Sequence, residues 1–196
     1  MSGYERLRVV GLDLSLTSTG VSDGARTEVF QTEPGGRLEA RMDFLVRSVR
    51  RFVSSAPSER FHLGHGADLA VIESGAFSRG AQSEAAEILS ALRLMVRHRL
   101  WLMAVPYAMV APTTLKAWFT GNGKATKPEM VAVADARHGT YFSDVPVKKG
   151  RYDLADALGL AAMGYARIGQ PLVRLDAGQQ RLASLDAVKW PDLLSD

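Results

Sequence analysis

Four carboxylates occupy positions where an acid needs a reason. Asp13 closes the apolar run Leu7 to Leu14, Glu73 closes Asp68-Leu-Ala-Val-Ile-Glu73, and Asp153 and Asp156 lie in RYDLADALGLAAMG. Short, nearly continuous apolar runs read as strands buried on both faces. Both acids then stand at the C-terminal ends of strands, where open sheets place their sites. Helical residues three apart share a face, so Asp153 and Asp156 point the same way. Asp153 falls in the first turn, where the helix dipole favours an anion. Asp156 leads into Ala157, Leu158, Leu160, Ala161, Ala162 and Met163, and an acid entering so apolar a surface requires a partner. No basic residue lies between Tyr152 and Ala166 to provide one. Singly, each acid has an ordinary role as a helix-end residue, a solvated side chain or a loop cap. Together they form a hard-oxygen ligand set, which suits Mg²⁺ or Mn²⁺ rather than zinc. Two such ions can clamp the attacking and leaving oxygens of a phosphodiester.

The elements that must carry these acids follow from periodicity. Val21 to Thr32 reads as two strands about an Asp23-Gly24 turn. Leu38, Met42, Leu45, Val49 and Phe52 recur at helical spacing, so a helix runs from Arg37 to about Ser54. Ser83 to Arg99 is helical by the same test, Val105 to Ala111 returns to strand, and Thr113 to Phe119 is a short helix stopped at Gly121. Thr126-Lys-Pro-Glu129 is a capping box with Pro in the first turn, which opens a helix ending near Arg137. Tyr152 to Ala166 is the last strong helix. A hairpin, then strands alternating with helices, describes an α/β fold with a mixed central β-sheet flanked by helices on both faces.

Composition narrows the function classes. The 196 residues, 46% of them hydrophobic, are expected to form one core, and the formal charge of +3 does not make the chain a polycation. The bias is one of type, with 18 Arg against 6 Lys, and Arg forks suit phosphate. The absence of cysteine excludes thiolate metal sites, iron–sulfur clusters, disulfides and a Cys nucleophile. The four histidines, His62, His65, His98 and His138, show no ligand spacing. With no long apolar window or export signal, the expectation is a cytoplasmic protein that engages no membrane.

The ordered blocks GLDLSLTSTG, AVIESGAF, APTTLKAWFTGNGKATK and DLADALGLA resemble the RuvC family of Holliday junction resolvases, within the RNase H-like nuclease superfamily. The resemblance spans residues 7 to 166. It implies an RNase H-like nuclease domain over 1–166, with 167–196 as a C-terminal extension rather than a separate domain. It also implies that Asp13, Glu73, Asp153 and Asp156 are the catalytic, metal-binding acids of a two-Mg²⁺ endonuclease, with Mn²⁺ able to substitute. The substrate would be four-way branched DNA and the active form a homodimer. The interface would include the Ser83 to Arg99 helix, where Leu92, Met95 and Val96 lie beside Arg93, Arg97 and Arg99. Such a helix reads as an apolar seam flanked by phosphate-facing charge, or equally as a stripe facing the core.

Basic residues gather where that reading needs them. Between Ala111 and Arg151 stand seven Lys/Arg against three acids, including five of the six lysines. Gly121-Asn-Gly123 permits close backbone approach to a phosphate, and the capped helix after it offers free N–H groups. Lys116 and Lys127 match the family's DNA-contacting lysines; Lys124 lies between them. Phe77 resembles the aromatic that stacks near the junction crossover, one residue out of the usual spacing, with Arg79 beside it as a further DNA contact. Trp101 and Trp118, among apolar neighbours, read as core.

Two other classes stay open at this level. Asp-x-Ser-x-Thr-Ser-Thr-Gly also resembles the phosphate loop of the actin, Hsp70 and sugar-kinase superfamily, whose chains are longer and carry a second Gly-rich segment. A non-catalytic branched-DNA binding module would be expected to have lost at least one of the acids.

Overall fold

In the computed structural model, which describes residues 7–55, 66–75, 83–180 and 186–192, each acid-ending apolar run is a strand. The strands are β1 Val9–Asp13, β2 Ser18–Ser22, β3 Thr27–Gln31, β4 Leu69–Glu73 and β5 Tyr107–Val110. They form one sheet in the order β3-β2-β1-β4-β5. The first three are antiparallel neighbours, whereas β1, β4 and β5 run parallel. The helices are α1 Leu38–Ser54, α2 Glu84–Leu102, α3 Pro112–Thr120, α4 Lys127–His138, α5 Arg151–Arg167 and the short α6 Ala177–Gln180.

The apolar runs are continuous because both faces of the sheet are covered. Val9, Leu69, Val71, Ala108 and Val110 pack with α3, α4 and α5. Val10, Leu12, Ala70 and Ile72 alternate to the other face and pack with α1 and α2. The mixed α/β architecture expected from the sequence is therefore present.

Helix ends follow local chemistry. Thr126 caps α4 in a full capping box with Glu129, and Gly121 ends α3 in the left-handed region at φ 82°. The first hairpin starts earlier than expected, at Ser18 rather than Val21. Its polar start lies against α5 through Ser18 and Gly20, a context that periodicity alone does not register.

One buried ion pair ties the sheet to α1. Arg8, 1% exposed, pairs with Asp23 at 3.0 Å and donates to the carbonyls of Val53 and Phe52 at 2.7 and 2.9 Å. Asp23 in turn accepts the N–H groups of Ala25 and Arg26, fixing the hairpin turn.

Two expectations for α2 and its surroundings change. Trp118 is buried, but Trp101 is 70% exposed, stacked on His98 at 6.0 Å. The helix carries apolar residues on more than one side, and the core takes the stripe Leu92, Val96 and Leu100. Leu94, Met95, Trp101 and Leu102 are left exposed on another side. Thus Leu92 and Val96 do not belong to an outer seam. Beyond α5, Val188 is buried in the core, with Leu172, Leu175 and Trp190 packed against it.

Candidate active site

Strand periodicity puts the first two acids on one face. Val9, Gly11 and Asp13 point one way along β1, as do Leu69, Val71 and Glu73 along β4, and this is the side covered by α5. The parallel register sets Leu12 beside Ile72, which brings Asp13 and Glu73 level at the strand ends.

Glycine sets the approach of α5. A Cβ on Gly11 would lie 2.1 Å from the Ala157 carbonyl oxygen, and one on Gly20 2.1 Å from that of Asp153. The helix backbone thus rests directly on the strand backbone. Its first turns carry Asp153 and Asp156 to the end of the sheet where Asp13 and Glu73 stand.

Three of the four acids converge. Asp13, Glu73 and Asp156 each offer a carboxylate oxygen within 4.8 Å of the others. Asp153 stands apart from this trio, its Oδ2 accepting a hydrogen bond from the Ser18 hydroxyl. Burial acts on all of them, and repulsion by neighbouring carboxylates adds to it at Asp13 and Asp156. Asp13 is pushed well above the usual carboxylate range, first by burial and then by the charges of Glu73, Asp156 and Asp153. Burial, then Glu73, raises Asp156 to about 7. Burial also raises Glu73, although Arg93, a hydrogen bond from Asp13, and two lysines oppose it. Asp153 rises for the same first reason, against the Ser18 hydrogen bond. Crowded, desolvated carboxylates of this kind are held ionised by a hard cation.

The lysines divide. Lys127, at the first position of α4, acts on all four acids and sits 5.5 Å over the Tyr152 ring. Lys116 acts on Glu73 and Asp156. Lys124 remains in the exposed loop, its N–H bound to Asn122 Oδ1 at 3.0 Å. Phe77 and Arg79 lie outside the described residues. His138 stacks on Phe119 at 5.6 Å and acts on none of the acids.

Two contributors escaped sequence reading. Arg93, grouped there with phosphate-facing charge, instead faces Glu73 and Asp13, and burial lowers its own pKa. A Cβ on Gly75 would lie 2.8 Å from its Nη1, so the chain after β4 passes close against the guanidinium. Arg97 is likewise drawn inward, donating to the Tyr107 hydroxyl at 3.0 Å. Ser18 is the second, and its place in the Thr17-Ser18-Thr19 run gave no sign which hydroxyl would meet an acid.

Neither a family model nor a curated protein matches the chain. Solved structures do. Thermus thermophilus RuvC matches at TM-score 0.60 and 24% identity, over 84% of this chain and 98% of that one. The same protein in complex with Holliday junction substrate matches at TM-score 0.62 and 24% identity, with the same coverage. The yeast mitochondrial Holliday junction resolvase matches at TM-score 0.50 and 14% identity, over 81% of this chain and 77% of that one. The chain therefore has the fold of RuvC.

Proposed function

We propose that this chain is a metal-dependent endonuclease that resolves four-way DNA junctions by hydrolysing one phosphodiester per active site. The observation that carries this reading is the converging acid trio of Asp13, Glu73 and Asp156 at the open end of a RuvC-type sheet. The fold has been solved with a Holliday junction in the Thermus protein. Three carboxylates raised by burial, two of them also by repulsion, fit divalent cations, because only oxygen donors are present in the trio and cations relieve the crowding. Asp13, Glu73 and Asp156 would hold a first ion, with Asp153 completing the set for a second, Mg²⁺ by preference and Mn²⁺ in its place. When bound, the ions supply Lewis-acid stabilisation of the charge that develops on the phosphate oxygens.

The chain's own groups do the remaining work. Ser18 holds the Asp153 carboxylate in one orientation. Lys116 and Lys127 place positive charge beside the acids, where the phosphate backbone would lie, and Lys124, Phe77 and Arg79 extend the DNA contact. Arg93 offsets part of the charge of Glu73 and Asp13. Residues 1–166 constitute the nuclease domain and 167–196 a C-terminal extension, of which Leu172, Leu175, Val188 and Trp190 pack on the core. Among the described residues no helix is long and apolar enough to cross a membrane, and the protein acts where its DNA is, in the nucleoid or an infected host cell.

Paired cuts need paired sites, and a two-fold dimer provides them in fixed relation. The exposed face of α2, with Leu94, Met95, Trp101 and Leu102, is the surface for that dimer. Incubating the protein with four-way, forked, flapped and linear DNA tests the reading, in Mg²⁺, in Mn²⁺ and in a chelator. The expected result is metal-dependent paired nicking of the four-way junction. Cleavage of none of these, or equal cleavage in chelator, rejects it, and a mass of 21.3 kDa that junction DNA leaves at one chain rejects the dimer.

A further inference from the structure

A cavity of about 410 Å³ adjoins the acid group through Ser18 and Asp153, and the reaction outlined above leaves it unused. Its walls are the end of β2–β3 and the short 3-10 turn Val147–Lys149. Those walls are fixed. Gln31 Nε2 donates to the Lys148 carbonyl at 2.8 Å, closing one side. The Thr32 hydroxyl donates to the Leu16 carbonyl at 2.5 Å and accepts from Arg41 Nε at 3.0 Å, which holds the turn before Ser18. Gly150 seats the far end of the 3-10 turn against β3: a Cβ there would lie 2.8 Å from the Val29 methyls.

The lining is of mixed chemistry. Pro34 and Val147 are apolar, Lys148 is cationic, and Glu33 joins Asp153 as an anion. A free phosphate would meet two carboxylates for one ammonium, so the lining disfavours a small anion. A nucleotide matches the lining outside the acid group: a base against Pro34 and Val147, its exocyclic amine toward Glu33, and its phosphate toward Lys148. The volume falls in the roughly 300–1,000 Å³ range of small-ligand clefts. A second cavity of about 260 Å³ shares Gln31, Thr32 and Glu33 as a common wall and continues past Arg37 and the exposed Phe44. The two together make a track leading away from the acids.

We propose that the larger cavity is a subsite for the nucleotide next to the scissile phosphate on the cut strand, with the strand leaving toward Phe44. This rests on the nuclease reading. The test is single-turnover cleavage of a four-way junction in which each nucleotide flanking the cut is replaced, one at a time, by an abasic residue. The same scan is repeated on Val147→Ser and Lys148→Ala. Both residues are exposed, so the variants retain the fold. In the wild type, one abasic position is expected to slow cleavage about tenfold, from loss of a packed base, and the others less than twofold. In Val147→Ser that penalty falls to twofold or less, because the base has already lost its wall. Lys148→Ala lowers the salt slope of junction binding by about one. A flat abasic scan in an active wild type, or an equal penalty in wild type and Val147→Ser, overturns the subsite and leaves the nuclease reading standing. A wild type that cuts no branched DNA overturns both.

Discussion

Replacing Asp156 by Asn separates chemistry from stability within one side chain. In the metal-free protein the acid is raised from 3.8 to about 7, chiefly by burial and next by Glu73. A raised acid is protonated in the native state while still ionised in the unfolded chain, so it lowers stability as pH rises from about 4 toward 7. At about 1.36 kcal/mol per pH unit, the rise corresponds to roughly 4 kcal/mol once pH exceeds 7. Asn carries no proton to lose. The variant should therefore match the wild type near pH 4 and exceed it by up to about 4 kcal/mol at pH 8, with Asp13 and Glu73 sharing the titration. Urea melts in chelator across this pH range measure the difference. Mg²⁺ should narrow the gap, because a bound ion stabilises the wild type by about 2.7 kcal/mol at a hundred times its dissociation constant, and about 4.1 kcal/mol at a thousand times, and the variant far less. Cleavage should be lost while junction binding persists. A stability difference that does not vary with pH would refute the buried-acid reasoning, and a variant that cuts DNA at the wild-type rate would refute the ligand assignment.

Three further outcomes follow from the same geometry. Lys116→Ala and Lys127→Ala should each weaken junction binding without sequence preference and reduce the slope of log affinity against log salt by about one; titrations at several salt concentrations check this. Gly11→Ala would place a methyl 2.1 Å from the Ala157 carbonyl oxygen and 2.5 Å from the Ala161 nitrogen, backbone atoms that cannot swing aside. It should cost about 3 kcal/mol or more, with Mg²⁺-dependent stabilisation lost together with it, as thermal melts with and without the ion would show. Asp23→Ala leaves Arg8 buried without its partner and should cost about 3–5 kcal/mol in urea melts at neutral pH, whereas the double replacement with Arg8→Met should recover much of it.

Much of the frame could be read directly from side-chain pattern. Apolar runs ending in acids marked β1 and β4, and the capping box of Thr126 and Glu129 marked the start of α4. Those signals are local, so they survive without knowledge of the partner element. The misreadings concern choices between faces. In α2, Leu92 and Leu94 are equally apolar, and only the approach of the sheet decides that one is buried and the other exposed. The three-residue spacing of Asp153 and Asp156 correctly put both on one side of α5. The helical rotation between them, together with the Ser18 hydroxyl, leaves Asp153 outside the trio. The inward turn of Arg93 depends on Gly75 lying beside its guanidinium, a meeting of two segments distant in sequence.

The glycine contacts between α5 and the strands bear on how the protein opens. Asp13, Glu73, Asp153 and Asp156 all ride on the elements with the densest mutual packing, and at Gly11 and Gly20 the packing is backbone against backbone. Separating Asp13, Glu73 and Asp156 requires α5 to part from the sheet. In amide exchange, the hydrogen-bonded N–H groups of β1, β4 and the first half of α5 from Leu154 onward should therefore exchange only through global unfolding, whereas the exposed 121–124 and 143–149 stretches exchange through small local openings. The acids that would cut the strand are thus bound to the stability of the whole domain, and Lys124 and Lys148 in the exposed stretches are free to breathe on a faster clock.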